Sequence, residues 1–302
     1  MIVISYCKTI HLKLSVHFIA YMLHPVQPKS WQKPKILLVI ALILLGLLYS
    51  KTIAWLVGSW IYNSYYSHGL VVLAVSMYFA YRTCRKESIS PEVDVRGLYL
   101  VSAATIINVF ATLWDVEYVS AVSLLFAVFG IILTLYGSKT ARKLVFPVFF
   151  MILAVPFPIH NIANWLEVLS AQTSVNFVNA FGVEASNTGA EIHLKACSFV
   201  VGAPCSGIRS IISLLTVATL YVYLIQDKMP VKVTLVALSI PFAFFANVLR
   251  ISSILVVAEL YGRNAALGFF HYASDIVLFV TAVVMLMFLR RCLKWLTSRP
   301  HF

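Results

Sequence analysis

Residues 118–137 read YVSAVSLLFAVFGIILTLYG, an unbroken run without a single charged side chain. A helix rises 1.5 Å per residue, so a run of about 20 residues covers the roughly 30 Å of a bilayer's hydrocarbon core. Transmembrane β-strands alternate apolar and polar residues over about 10 positions, and this run does not alternate. The stretch therefore predicts a membrane-spanning α-helix.

The rest of the chain repeats this pattern. Of its 302 residues, 61% are hydrophobic and only 11% are charged, which excludes a soluble enzyme, a secreted disulfide scaffold and a disordered regulator. The predicted fold class is all-α, a polytopic transmembrane helix bundle of about eight helices. The apolar runs place these spans at residues 36–57, 61–81, 97–113, 118–137, 144–156, 205–225, 233–260 and 271–289.

The net charge of +12 gives the orientation of the spans. Basic residues favour the cytoplasmic side of a membrane, and the eight spans satisfy this rule if both termini are cytoplasmic. The inside segments then hold 18 of the 23 Lys and Arg, namely Lys8, Lys13, Lys29, Lys33, Lys35, Arg82, Arg85, Lys86, Arg96, Lys139, Arg142, Lys143, Lys228, Lys232, Arg290, Arg291, Lys294 and Arg299. We therefore expect a multi-pass protein of the cytoplasmic (inner) membrane, and no nucleic-acid partner.

Two segments lie outside the predicted spans. Residues 1–35 lack a continuous apolar core and a small-residue cleavage site, which favours a cytoplasmic or interfacial leader before a transmembrane domain at 36–302. Residues 158–204 form an extracytoplasmic segment before the sixth span. Within it, 161–182 has the period of an interfacial helix with Trp165 at headgroup level, and the alternation at 191–194 predicts a strand or hairpin.

The sixth span opens with the sequence APCSGIRS at residues 203–210. Cys205, Ser206 and Gly207 present a thiol, a hydroxyl and a bare backbone at a helix N-terminus, and Arg209 follows one turn later. The helix dipole and the guanidinium both favour the thiolate form of Cys205. Two other interpretations stay open: Cys205 packs as a small apolar residue, or it forms a disulfide with Cys197.

The seventh and eighth spans carry ionisable residues that the bilayer disfavours. Arg250 lies three positions after Asn247 on one helical face, on the order of 12 Å from the outer end of its span. The alternative is a structural salt bridge with Asp275 or Glu259. His271 precedes Asp275 by four positions, a spacing that suits proton transfer. Alone, His271 also fits an amphipathic residue at the interface.

Cys205, Arg250 and His271 come from three separate predicted spans, all in the outer half of the membrane. A thiolate, a guanidinium and an imidazole are what acyl transfer through a thioester requires: a nucleophile, a cation for the oxyanion and an acid for the leaving amine. No metal is expected, because Cys205 and His271 supply only two ligands without the spacing of a metal site. No other cofactor is expected either.

These residues resemble the blocks of the exosortase/archaeosortase family of membrane cysteine transpeptidases. The matching blocks are CSGIRS from Cys205, NVLR from Asn247 to Arg250, and His271 at the start of the last span. Two further blocks are similar, YSHGL at 66–70 and KLVFPVFFMILAVPFP at 143–158. The resemblance implies that Cys205, Arg250 and His271 are catalytic, with Ser206, Gly207, Arg209, Asn247 and Asp275 in support.

The resemblance also implies the partners. The family is taken to cut secreted proteins that end in a short motif such as Pro-Glu-Pro, a transmembrane helix and a basic cluster. It then passes them to a membrane lipid or another amine or hydroxyl acceptor. Hydrolysis of the same acyl-enzyme would make the chain an intramembrane protease. A non-enzymatic alternative is a transporter or lipid-carrier component of polysaccharide export, in which Arg209 and Arg250 bind an anionic headgroup.

Overall fold

The computed structural model describes residues 34–86, 92–195, 197–202 and 207–298; at 34–35, 160, 267, 269–279, 282 and 296–298 the description is of the backbone alone. Helices dominate this part of the chain, in agreement with the predicted all-α membrane fold, and a single small sheet accompanies them. The chain divides into two compact units, Met1–Phe157 and Pro158–Phe302.

The first unit contains five α-helices within its described residues. They are α1 (Pro34–Leu48), α2 (Ser50–Tyr62), α3 (Gly69–Lys86), α4 (Val95–Leu113) and α5 (Glu117–Phe150), and a 3-10 turn at Met151–Ala154 follows α5.

Helix covers the span predicted at 36–57, and the chain bends there by 75° between α1 and α2. Tyr49 lies at the bend and is fully buried. Its hydroxyl donates to the Ala104 carbonyl oxygen at 3.1 Å and lies 3.0 Å from Ser123 Oγ. The bend is therefore fixed by hydrogen bonds to α4 and α5, which no local sequence pattern reveals.

Helices α4 and α5 form an antiparallel hairpin with a close approach at two glycines. A Cβ atom on Gly97 would lie 2.5 Å from the Gly130 carbonyl oxygen, and one on Gly130 would lie 2.7 Å from Val101 Cγ2. Small residues at such points let transmembrane helices pack backbone to backbone.

The predicted fourth and fifth spans, 118–137 and 144–156, are helical, and the two helical segments meet at a kink. The interruption is confined to Gly137, whose φ of 71° and ψ of 175° are non-helical. The basic residues at 139–143 are consequently helical and belong to α5.

The two further blocks of the resemblance contact each other in the first unit. The Phe157 N–H donates to the Tyr66 hydroxyl at 3.1 Å, and His68 Nε2 lies 3.2 Å from the Leu153 carbonyl oxygen. Beside them, Trp60 Nε1 donates to the Ala154 carbonyl oxygen at 2.8 Å. These hydrogen bonds pair backbone groups that lie just after the end of α5. The two blocks therefore hold each other in place.

Three helices among the described residues are long and apolar enough to cross a membrane: Val95–Leu113, Glu117–Ala154 and Met229–Tyr261. The bent pair at Ile36–Leu48 and Ser50–Tyr62 makes a fourth if it counts as one span. The chain is thus an integral membrane protein, while the count of eight spans stays a prediction.

The second unit begins with α6 (His160–Ala180). The strands β1 (Ala185–Thr188), β2 (Glu191–Leu194) and β3 (Ser198–Val200) follow, and then α7 (Ile208–Leu224), α8 (Met229–Tyr261), α9 (Arg263–Leu267) and α10 (Phe269–Ser298). The strands form an antiparallel sheet in the order β1, β2, β3, with Ser186 opposite His193 and Ile192 opposite Phe199. The predicted strand at 191–194 is confirmed.

Helix α8 is the centre of the second unit, since α6, α7, α9 and α10 all pack against it. One apolar cluster joins α6, the sheet and the C-terminal half of α8 through Val178, Ile192 and Leu255. A second joins α7, α8 and α10 through Leu214, Ala243 and Leu286. Side chains that lie far apart in the sequence are thereby held around one helix.

Helix α6 confirms the helix predicted at 161–182. Ile162 and Trp165 are exposed, whereas Ser170, Ala171 and Ser174 are buried. Small residues thus form part of the face that packs in the protein, while Ile162 and Trp165 point outward, as is common for a helix in an apolar environment.

The link between α7 and α8 is tied to α10 by Asp227, whose side chain is 3% exposed. Its carboxylate accepts from Arg290 Nε at 2.5 Å and lies 2.8 Å from Lys294 Nζ. Hydrogen bonds from Arg290 and Lys294 lower the pKa of Asp227 to about 2. Because the folded-state pKa lies below the unfolded value of about 3.9, this stabilisation is present above pH 4 and is lost as the pH falls towards 2.

We expect Asp227→Asn to lower the free energy of unfolding by about 2 kcal/mol at pH 7, because it leaves two cations without their carboxylate. The difference from the unmodified protein should shrink below pH 4. Thermal unfolding in detergent at several pH values measures both effects. The control is Asp115→Asn, which removes an ion pair with Lys51 whose side chains are 46% and 59% exposed and should cost less than about 1 kcal/mol. Equal melting temperatures for the two variants at pH 7 would contradict this account.

Candidate active site

Of the residues predicted to form the site, the structure describes the side chains of Arg209, Asn247 and Arg250 and the backbone of Gly207. Gly207 and Arg209 lie at the start of α7. Gly207 is the N-cap residue, with a φ of 81° and no side chain to accept a hydrogen bond from the first turn. This left-handed conformation favours glycine. The Gly207 carbonyl accepts from the Ile211 N–H at 2.9 Å, so α7 begins directly after it.

Side chains from two other helices close around Gly207. A Cβ atom on this residue would lie 3.1 Å from Asn247 Nδ2 on α8 and 3.6 Å from Ser170 Oγ on α6. Three helices therefore meet at Gly207, and its lack of a side chain is what permits the approach.

Asn247 and Arg250 lie three positions apart on α8 and share one face of that helix. Asn247 is fully buried and Arg250 is only 4% exposed. The same stretch is held to α6 because Ser174 Oγ donates to the Val248 carbonyl oxygen at 3.3 Å. A guanidinium buried in a membrane protein faces the interior of the helix bundle, where it either forms a structural ion pair or serves a functional site.

The first turn of α7 is positively polarised. It contains no acidic residue, and Arg209 lies in this turn with its side chain partly buried. The helix dipole places the equivalent of about half a positive charge at this end. Such an end is suited to an anion or to a developing negative charge.

Two predicted residues, Cys205 and Ser206, lie outside the described residues. Cys205 precedes Gly207 by two positions, so chain length alone keeps its Cα within about 7 Å of the Gly207 Cα. The backbones of His271 and Asp275 lie near the start of α10, one turn apart. The approach of Cys205 and His271 to Arg250 stays a prediction.

Cys197, Cys84 and Cys292 carry free thiols. The disulfide between Cys197 and Cys205 that the sequence left open involves a residue outside the described ranges and stays an alternative. Cys197 packs, half-buried, against the apolar cluster of α6, the sheet and α8.

Sequence reasoning missed Ser170. This residue is fully buried on α6, and its Oγ has no hydrogen-bond partner among the described residues. The signal that would have found it is the spacing of small residues at 163, 170, 171 and 174, which marks a face for helix packing. The large apolar residues of the same helix concealed that face.

A polar concavity of about 680 Å³ lies beside the β1–β2 hairpin and is lined by Asn179, Glu184, His193 and Lys195 among others. Its ion pair between Lys195 and Glu184, at 2.9 Å, is exposed to solvent. A solvent-exposed groove of this kind lacks the low-dielectric surroundings that strengthen catalytic charges. The start of α7 is therefore the better candidate for chemistry.

Comparison with known families gives one match. Residues 60–288, about three quarters of the chain, match the family described as transmembrane exosortase. The CSGIRS block, the NVLR block and His271 fall inside this range. Comparison with curated proteins gives no match, and comparison with solved structures gives none either.

Proposed function

We propose that this chain, which belongs to the transmembrane exosortase family, is a cysteine peptidase or transpeptidase that removes C-terminal sorting tails from secreted proteins. Its substrates would carry a short motif such as Pro-Glu-Pro, a transmembrane helix and a basic cluster. The family is one of transmembrane enzymes, and the integral membrane fold described above agrees with it.

The proposed reaction has two steps. The Cys205 thiolate attacks the scissile carbonyl carbon, the carbon–nitrogen bond breaks, and His271 donates a proton to the departing amine. A thioester then joins the substrate to Cys205. An amine or hydroxyl acceptor loses its proton to His271 and displaces the thiolate, while Arg250 stabilises the negative charge of each tetrahedral intermediate.

The arrangement at the start of α7 supports this proposal most strongly. Gly207, two residues after the proposed nucleophile, is in contact range of Asn247, and Arg250 follows Asn247 on the same buried face. Gly207 of the CSGIR block and Asn247 of the NVLR block, 40 positions apart in the sequence, are therefore neighbours. A nucleophile held here would sit beside the positive end of a helix and a buried guanidinium.

The membrane placement is part of the proposal. Both termini would be cytoplasmic in the inner membrane, with eight spans and with 158–204 on the extracytoplasmic side. The exposed side chains of Ile162 and Trp165 on α6 suit the headgroup region of the outer surface. The substrate's apolar tail would lie between helices and supply binding energy remote from the bond that is cut.

Mass spectrometry of the reaction product tests the proposed activity. A secreted reporter carrying a sorting tail encoded in the same genome is incubated with the full-length protein in membranes. We expect the reporter to lose its tail, and its new C-terminus to carry an added group if transfer occurs. A free carboxylate at the new C-terminus would establish hydrolysis, and an intact tail would contradict the proposed function.

A further inference from the structure

We propose that α2 is a membrane-surface helix, which lies in the lipid headgroup region of the extracytoplasmic leaflet, across one end of the first unit. Residues 34–62 then cross the membrane once, through α1. This placement does not depend on the proposed activity and concerns the first unit alone.

A reversal of α5 at Gly137 provides the frame for this placement. The ring centroid of Phe149 lies 5.1 Å from that of Phe126 and 5.4 Å from that of Phe129. In a straight helix, the 23 positions from Phe126 to Phe149 would separate these residues by about 35 Å. The two halves of α5 therefore run antiparallel, and Gly137 lies at one end of this pair.

The opposite end of the pair is marked by Ser120 and Ala154. Ser120 comes 17 positions before Gly137, and Ala154 comes 17 positions after it. Because the two antiparallel halves rise by a similar distance per residue, both positions are at one level, about 25 Å from Gly137. The rings of Tyr118 and Phe157, 6.0 Å apart, agree with this level.

Both ends of α2 are hydrogen-bonded to this level. At the N-terminal end of α2, Thr52 Oγ1 lies 2.5 Å from Ser120 Oγ. At its C-terminal end, Trp60 Nε1 donates to the Ala154 carbonyl oxygen at 2.8 Å. Helix α2 therefore runs across the end of the helix pair and not along it.

The direction of α1 leads to the same placement. Helix α1 shares an apolar cluster with α4 and the first half of α5, which includes Ala41, Ala104 and Leu135, so α1 lies along these helices. The chain then bends by 75° at Tyr49, where α2 begins. Helices α4 and α5 are long and apolar enough to cross the membrane, so an axis bent by 75° from theirs lies close to the membrane plane.

The side of the membrane follows from the charges. The three basic residues at 139–143 follow Gly137 directly, and basic residues favour the cytoplasmic side. The opposite end, where α2 lies, is therefore extracytoplasmic. The only charged residue of α2 is Lys51, which donates to Asp115 at 2.6 Å, so its charge does not oppose this orientation.

The surface of α2 suits the lipid interface. Its stripe at positions 52, 56 and 60 is buried in the protein. The neighbouring stripe is apolar and exposed, and consists of Ile53, Val57 and Ile61. Two aromatic residues at this level, Tyr62 and Trp114, are 87% and 72% exposed. An apolar stripe for the acyl chains and aromatic residues for the headgroups are typical of a helix that lies in the interface.

Spin labels at two positions of α2 and two of α4 test the placement. Each variant carries one label on a ketone-bearing unnatural amino acid, so the full-length protein keeps its native cysteines. One pair of variants replaces Ser50 and Ile61, which are exposed, 11 positions apart and on one face of α2. The control pair replaces Tyr99 and Phe110, which are exposed on α4 and also 11 positions apart. The depth of each label in lipid vesicles is measured from its relaxation by oxygen and by a water-soluble nickel chelate.

We expect the labels at 50 and 61 to lie within about 5 Å of one depth, near the headgroups. The labels at 99 and 110 should differ in depth by about 16 Å, because α4 crosses the membrane. Chelate added only to the extracytoplasmic side of sealed vesicles should relax both α2 labels.

Three results would overturn the proposal. A depth difference above about 10 Å between positions 50 and 61 would make α2 half of a broken span. Two labels in bulk water would place α2 above the lipid, and relaxation by chelate from the cytoplasmic side alone would place it in the other leaflet. The proposed activity is tested separately by reporter cleavage, so either proposal can fail without the other.

Discussion

Replacement of Cys205 by alanine is expected to abolish tail removal, with a loss of about 10⁶-fold in kcat, the scale seen when the nucleophile of a covalent protease is removed. The reason is that alanine cannot form the thioester, so no acyl-enzyme exists to pass on. The measurement is the fraction of tailed reporter cut over time by equal amounts of the two proteins in membranes. The variant should fold normally, since a thiol is replaced by a smaller apolar group.

Cys197→Ala is the matched control for Cys205→Ala. Cys197 has a free thiol eight positions upstream, and its replacement should leave the cleavage rate within about twofold. Continued processing by Cys205→Ala would remove the nucleophile assignment. A fully active Cys205→Ser variant would instead favour a carrier in which the cations at 209 and 250 bind an anionic headgroup and the thiol has no role.

Replacement of Arg250 by lysine is expected to lower kcat by 10²- to 10³-fold, about the effect of losing one electrostatic contact to an oxyanion. Lysine keeps the positive charge but loses the planar array of five donors. Arg250 is only 4% exposed, so water cannot take the place of the lost hydrogen bonds. Reporter cleavage under single-turnover conditions isolates this step from product release.

The control for Arg250→Lys is Arg263→Lys, the same substitution at an exposed arginine of the second unit. It should leave kcat and the melting temperature unchanged. A variant Arg250→Lys that cuts the reporter at the unmodified rate would show that only charge is needed at this position. A fall in melting temperature that accounts for all of the lost activity would show that Arg250 is a structural ion-pair residue.

The sequence predicted the features that depend on local pattern. The strand at 191–194 followed from alternation, and the helix at 161–182 followed from its period; both are present within a residue or two of the expected bounds. The family followed from the order and spacing of the CSGIRS, NVLR and His271 blocks, and the match over residues 60–288 confirms it. Such motifs can be recognised from the sequence because the residues of each motif are close together along the chain.

Features that depend on contacts between helices were not predictable. The bend at Tyr49 arises from hydrogen bonds to Ala104 and Ser123, which are distant in the sequence. The packed face of α6, which includes Ser170, was hidden for a related reason. In a soluble protein the apolar face of a helix is the buried one, but in a membrane the large apolar residues also face lipid. The hydrophobic period of α6 therefore pointed to Ile162 and Trp165, away from the packed face.

The thioester on Cys205 is the most direct test of the account. The full-length protein is mixed with tailed reporter in the absence of an acceptor, quenched in acid, digested and analysed by mass spectrometry. We predict that the peptide containing Cys205 gains the mass of the reporter's new C-terminal segment, and that neutral hydroxylamine releases it. A reporter that loses its tail while Cys205 stays unmodified at every time point, or while the adduct sits on another residue, would contradict the account.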